Sequence, residues 1–216
     1  MNVSSFVKYL KDTFIDESLY GFSAVDESLK QKTGCNRCLV TLLPYPDLAY
    51  MYDPFEFYDM LENLRRGLAA KMNAVKAFLD LNNIKYAIPP ASPKDDGNHL
   101  AEFSYKWAAI HAGLGFIGKN DVFVHYKYAQ RVRMSCLLID FDVPVYTGDI
   151  ISRCGECGLC VKACPYHYIT GRAWNIDIKR EELVDYKNCA AKSKHSGEGQ
   201  NYLCSFCALA CTYPNI

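Results

Sequence analysis

The sequence has no excess of charge of either sign: 24 Lys and Arg balance 24 Asp and Glu over 216 residues. That removes the broad basic surface by which proteins grip nucleic acid or acidic lipid, although a local patch is compatible with zero net charge. There is no run of about eighteen apolar residues, so no membrane span is predicted. The opening residues, MNVSSFVKYLKDTFIDE, lack a basic segment followed by an apolar one. No secretory signal is expected there, and the expected compartment is the cytoplasm. No internal repeat is evident. Half the residues are apolar, enough for one large domain or two small ones with a buried core.

What the chain does have is cysteine. There are eleven, and eight of them lie between 154 and 211. Short spacing in an unsecreted protein points to metal rather than to a disulfide framework. The stretch RCGECGLCVKACPYHYI at 153–169 carries the spacing C-x2-C-x2-C-x3-C-P. This is the bacterial ferredoxin pattern, in which three cysteines wrap one iron–sulfur cluster and the fourth ligates another. Soft thiolates suit iron bridged by sulfide. Cys154, Cys157 and Cys160 therefore go to one 4Fe–4S cluster and Cys164 to a second. Cys189 and the tail CSFCALAC supply Cys204, Cys207 and Cys211. The crossover sends Cys211 back to the first cluster and leaves Cys189, Cys204 and Cys207 with Cys164. Gly155 and Gly158 let the backbone curl, with amide N–H groups available to sulfur. The competing reading is structural zinc, which also takes four cysteines but usually from paired C-x2-C knuckles.

The cysteine count divides the chain near 150, into an α+β domain at 1–148 and a ferredoxin-like domain at 149–216. In the first, SSFVKYLKDTF has helical spacing at Phe6, Tyr9, Leu10 and Phe14, with Ser4 or Ser5 as cap. CLVTLLPYP reads as a buried strand. Asp53-Pro54 opens a long helix with an apolar stripe at Phe57, Leu61, Leu64, Leu68, Met72, Val75 and Leu79, stopped at Asn82-Asn83. IKYAI reads as a strand and PPASPKDDGN as a loop. A helix from about Leu100 to Ala112 runs into GLGFIGKN, and DVFVHY and MSCLLIDFDV read as two strands of a sheet. Three glycines within six residues of GLGFIGKN imply tight turns or close approach to a ligand. Without further context that box is a turn with packing glycines and a surface lysine.

Taken together, AGLGFIGKN at 112–120, the run at 154–165 and the tail YLCSFCALACTYPN resemble the epoxyqueuosine reductases, with MSCLLIDFDVP similar to the strand between box and clusters. These are cobalamin-dependent relatives of the reductive dehalogenases that reduce epoxyqueuosine to queuosine in tRNA. The resemblance covers most of residues 40–216. It implies a nitroreductase-like α+β cobalamin-binding domain followed by a ferredoxin-like domain with two 4Fe–4S clusters. It places Gly113, Leu114, Gly115, Phe116, Gly118 and Lys119 near the corrinoid, with Lys119 meeting a phosphate or propionamide. An external ferredoxin or flavodoxin would be the electron donor.

Three departures bear on the activity. The family's acid upstream of the box falls on His99 when counted without gaps, with Asp95, Asp96 and Glu102 as alternatives; a histidine is a suitable acid near neutral pH. The residues end with the second cysteine stretch, where full-length relatives continue into a helical repeat that helps hold tRNA, and with zero net charge this weakens tRNA as partner. GCNRC adds Cys35 and Cys38, which read as redox-active, as half a metal site, or as buried thiols beside a strand. Cys136 reads as core. The expectation is an iron–sulfur oxidoreductase passing single electrons to a bound cobalamin. The alternatives are an electron-transfer protein without corrinoid and a cobalamin reactivator.

Overall fold

The computed structural model describes residues 2–45, 54–90, 101–197 and 200–214, and leaves undescribed the side chains of 54, 55 and 193–203. It is a mixed α+β chain that forms two compact units, neither continuous in sequence. The first is Met1–Pro44, Arg65–Leu114 and Arg133–Asp149; the second is Tyr45–Leu64, Gly115–Val132 and Ile150–Ile216. The last of the crossings between them lies at Asp149–Ile150. The segments 45–64 and 115–132, which sequence order assigned to the N-terminal domain, pack within the second unit. Among the described residues no helix is long and apolar enough to cross a membrane.

In the first unit, helix α1 (Val3–Phe14) buries Phe6, Leu10 and Phe14, the stripe its spacing predicts. Its cap is Asn2, not Ser4 or Ser5: the Ser5 N–H donates to Asn2 Oδ1 at 2.9 Å, and the Ser5 hydroxyl donates to the same oxygen. A four-stranded sheet follows in the order β1-β2-β6-β3. Its members are β1 (Tyr20–Ala24), β2 (Arg37–Pro44), β3 (Tyr86–Ala87) and β6 (Val132–Ile139). β1 and β2 run antiparallel with Phe22 opposite Leu39, and β3 and β6 antiparallel with Tyr86 opposite Ile139. Helix α2 (Glu27–Thr33) is capped by Asp26, whose carboxylate accepts the Leu29 N–H. The long helix α3 (Pro54–Leu81) crosses from one unit to the other at Leu64–Arg65. Its C-terminal part buries Leu68, Met72, Val75 and Leu79 in the first unit, where Thr41 donates to the Met72 sulfur. Tyr9 stacks on Phe78 at 3.9 Å between ring centres.

Helix α4 (Tyr105–His111) is shorter than expected because Ser104 caps it, accepting the Trp107 N–H. The two apolar stretches read as strands of one sheet belong to different sheets. The first is β5 (Phe123–His125), which pairs in a hairpin with β4 (Gly115–Ile117); the second is β6.

The second unit holds that hairpin, short helices α5 (Leu159–Ala163), α6 (Arg180–Leu183), α7 (Tyr186–Ser193) and α8 (Phe206–Leu209), and a hairpin of β7 (Lys194–Gly197) with β8 (Gln200–Leu203). Tyr45 and Phe57 are buried there against Met60, Leu61, Leu64 and Leu209. Phe116, Ile117, Phe123, Val124, Ile169, Trp174, Leu183 and Val184 are also buried in this unit.

Candidate iron–sulfur centre

The eight cysteines of the C-terminal region are reduced and fall around two cavities, both wholly within the second unit. One is lined by Cys154, Cys157, Cys160 and Cys211 with Phe116, Lys119, Asn120 and Tyr213. The other is lined by Cys164, Cys189, Cys204 and Cys207 with Asn120, Tyr166 and Phe206.

Local structure explains how the rings form. A turn closes from the Cys157 N–H to the Cys154 carbonyl at 3.0 Å, and Gly155 takes φ +49° inside it. Cys160 lies in the first turn of α5 and Cys164 at its C-cap, so the two side chains leave opposite ends of a short helix. α8 does the same for the tail: Cys207 lies within it and Cys211 beyond its end. Cys189 comes from α7.

The electrostatics follow the same partition. Burial pushes the Cys160 thiol up to about 11, and the charges of Cys154, Cys211 and Cys157 add to the rise. Burial likewise raises Cys189, helped by Cys204 and Cys164. Cys207 is pushed up to about 12 by burial, a rise the Asn120 amide opposes by hydrogen-bonding and Cys204, Cys189 and Cys160 reinforce. Cys160 and Cys189 thus respond to the cysteines of their own rings, while Cys207 also responds to Cys160 of the other. Such sets ionise together only around a cation.

Among the described residues, no three His, Cys, Asp or Glu side chains converge as a single metal ion requires. Zinc holds four sulfurs at about 2.3 Å from one centre. A 4Fe–4S cluster takes one thiolate per iron, so its ligands stand apart around a cavity. The two sets match such a cluster in donor type and number.

Further groups serve the sulfurs. The Tyr168 N–H donates to Cys164 Sγ at 3.4 Å. Asn120 and Gln130 form a reciprocal amide pair, at 3.0 and 2.9 Å, and Asn120 Nδ2 also reaches the Cys207 carbonyl at 3.4 Å. Neither residue stood out in the sequence. The signal available was only that Asn120 closes the box AGLGFIGKN.

The box residues each have a role inside their own unit. Gly113 has φ +72°, and a Cβ there would lie 2.5 Å from the Tyr146 ring. A Cβ on Gly115 would meet the Val124 carbonyl oxygen at 2.1 Å. Gly118 packs on Asn120 and Val124; Leu114 and Phe116 are buried. Lys119 is 9% exposed, not a surface lysine, and donates to the Cys157 carbonyl at 2.9 Å. None of these roles requires a corrinoid.

His99, Asp95 and Asp96 lie outside the described residues. Glu102 lines a cavity in the first unit with Ser23, Asp26, Trp107 and His111 and pairs with Lys32. Cys35, Cys38 and Cys136 are buried at 0–3% exposure. Burial raises Cys136 well above the usual thiol range, with a hydrogen bond to Cys38 adding to it, the behaviour of core thiols.

No family model matches the chain. Among curated proteins it is similar to epoxyqueuosine reductases from Pseudomonas aeruginosa, at 27% identity over half of this chain and 31% of that protein, and from Listeria monocytogenes, at 29% identity over 52% of this chain and 30% of that one. The matched stretch thus spans about a third of those relatives. Its fold is similar to that of epoxyqueuosine reductase from Streptococcus thermophilus, with TM-score 0.56 and 16% identity over all of this chain and 67% of the other. A second structure, of an epoxyqueuosine reductase with an epoxyqueuosine-modified tRNA-Tyr stem loop, gives TM-score 0.57 and 18% identity over 97% of this chain and 64% of that one. Over about half of its sequence, and in its fold, the chain is similar to epoxyqueuosine reductases.

Proposed function

We propose that the chain is an oxidoreductase of the epoxyqueuosine reductase type, holding two 4Fe–4S clusters in its second unit. The observation that carries this is the pair of cavities, each lined by one of the two four-cysteine sets that the ferredoxin crossover pairs. When bound, the clusters would supply one-electron transfer. The protein's part is to hold and shield them. Cys154, Cys157, Cys160 and Cys211 would ligate the first, and Cys164, Cys189, Cys204 and Cys207 the second. The Tyr168 N–H and the Asn120 amide stabilise the thiolates of Cys164 and Cys207. Buried Cys160 and Cys164 keep water from one side of each ring. Leu159 and Tyr166, 40% and 41% exposed, border the two cavities. They offer apolar contact to an external donor of ferredoxin or flavodoxin type.

The substrate in this reading is epoxyqueuosine in tRNA, or another small substrate, reduced through a cobalamin near residues 113–119 and protonated by His99 or by Asp95, Asp96 or Glu102. Likeness to the relatives supports this part. A second reading is favoured by the packing roles of the box and by the contact of Lys119 with Cys157: an electron-transfer protein that binds no corrinoid.

One preparation tests both. The protein is purified and reconstituted without oxygen, iron is counted, and cobalamin is added. About eight irons per chain with a base-off corrinoid spectrum support the full reading. The same iron without corrinoid binding supports electron transfer alone. Fewer than about four irons, with zinc in their place, removes the cluster assignment.

A further inference from the structure

Lys119 and Asn120 are consecutive residues on the β4–β5 hairpin, yet they face the two thiol rings differently. Lys119 lines only the first ring's cavity, while Asn120 lines both. The lysine is 9% exposed and is fixed by its bond to the Cys157 carbonyl. Among the described residues it makes no ion pair, so its charge is uncompensated at short range. Arg131 adds positive potential at Cys211 in the same ring. At the second ring the nearby cation is itself paired. Arg180 acts on Cys189, but Asp185 opposes it, and Arg180 is itself paired with Asp121 at 2.7 Å.

Reduction adds one electron to a cluster, taken from a one-electron donor outside the chain, and no bond forms or breaks. The added charge is negative, and a fixed cation in a water-poor site stabilises it. We propose that Lys119 holds the reduction potential of the cluster at Cys154, Cys157, Cys160 and Cys211 above that of its neighbour, making the first ring the receiving end of the relay. This rests on the two-cluster reading above. Asn120 is neutral and lines both cavities, so it adds no charge to either ring.

The test is an EPR-monitored titration with dithionite on anaerobically reconstituted protein, with iron counted in every sample. In the parent two potentials are expected. Cys211→Ala, which removes the first cluster, should retain the lower one. Lys119→Met should lower the higher potential by at least tenfold in the reduced-to-oxidised ratio, about 59 mV for one electron, and leave the other in place. Lys119→Arg, which keeps the charge, should restore it. If the cluster surviving in Cys211→Ala has the higher potential, the inference is wrong whether or not the Lys119 variants load. It is equally wrong if Lys119→Met holds about eight irons with both potentials unmoved, while the cluster assignment stands. A parent that binds zinc instead of iron removes both.

Discussion

Pairs of cysteine substitutions should sort by ring, not by position in the sequence. Cys160 and Cys211 come from opposite ends of the cysteine region but line one cavity. Cys160 and Cys164 lie within one run, on one short helix, but line different cavities. A cluster with one ligand per iron does not survive loss of a thiolate to alanine, so Cys160→Ala alone should keep about four of about eight irons. Adding Cys211→Ala should cost no more iron, since that cluster is already gone. Adding Cys164→Ala instead should remove the rest. If each run held its own cluster, the two double variants would exchange results. The crossover also closes a loop of about fifty residues, from α5 to the C-terminus. By the loop-closure estimate this is about 4 kcal/mol of stability in the loaded protein, so Cys160→Ala and Cys211→Ala should show similar falls in thermal midpoint. The assay is iron and sulfide per chain after anaerobic reconstitution, with circular dichroism to confirm folding. A folded Cys160→Ala/Cys211→Ala protein without iron, beside a Cys160→Ala/Cys164→Ala protein with about four, would refute the pairing.

Three further outcomes follow from the geometry. Gly115→Ala should destabilise by about 3 kcal/mol or more, seen as a lower urea midpoint, because its Cβ would sit 2.1 Å from the backbone oxygen of Val124; an unchanged midpoint would contradict the close approach. Replacing Cys35, Cys38 and Cys136 together by serine should leave about eight irons while costing stability, since these thiols are buried in the first unit; loss of iron would make them ligands. The apoprotein should lose stability as pH rises from about 9 toward 12: folding raises Cys160 to about 11 and Cys207 to about 12 from 9.0, so the unfolded chain releases protons first and the stability present below pH 9 disappears above it. Urea midpoints that rise across that window would reverse the sign.

The parts of the site legible in sequence were those set by local spacing. The run at 154–165 and the tail each hold their cysteines within a turn or two of helix, so both motifs show in the spacing, and the structure places the two crossover sets around separate cavities. The stripes of α1 and α3 were legible for the same reason. What spacing does not encode is partnership over distance. Phe123–His125 and Val132–Ile139 are both apolar strands, and nothing in their alternation says that they enter different sheets. The Asn2 cap was hidden because two serines nearby offered the same chemistry. Lys119 read as a surface or phosphate-binding lysine because its partner, the Cys157 carbonyl, lies 38 residues away.

That last case alters how the two motifs relate. Read along the chain, GLGFIGKN and the cysteine runs suggest two cofactors in two domains. In the structure the box divides at Leu114 and Gly115. Its second half, from Gly115 to Asn120, belongs to the unit that carries the thiols. There the close approach of Gly115 to Val124 sets the β4–β5 hairpin, and the hairpin presents Lys119 and Asn120 to the cavities. A bulkier residue at 115 would displace the hairpin and with it the cation and the amide. The glycines of this half are therefore accounted for by packing beside the cysteine-lined cavities, before any corrinoid is invoked. A relative that kept the cysteines but lost the box would keep its ligands and lose the groups that set them apart from one another.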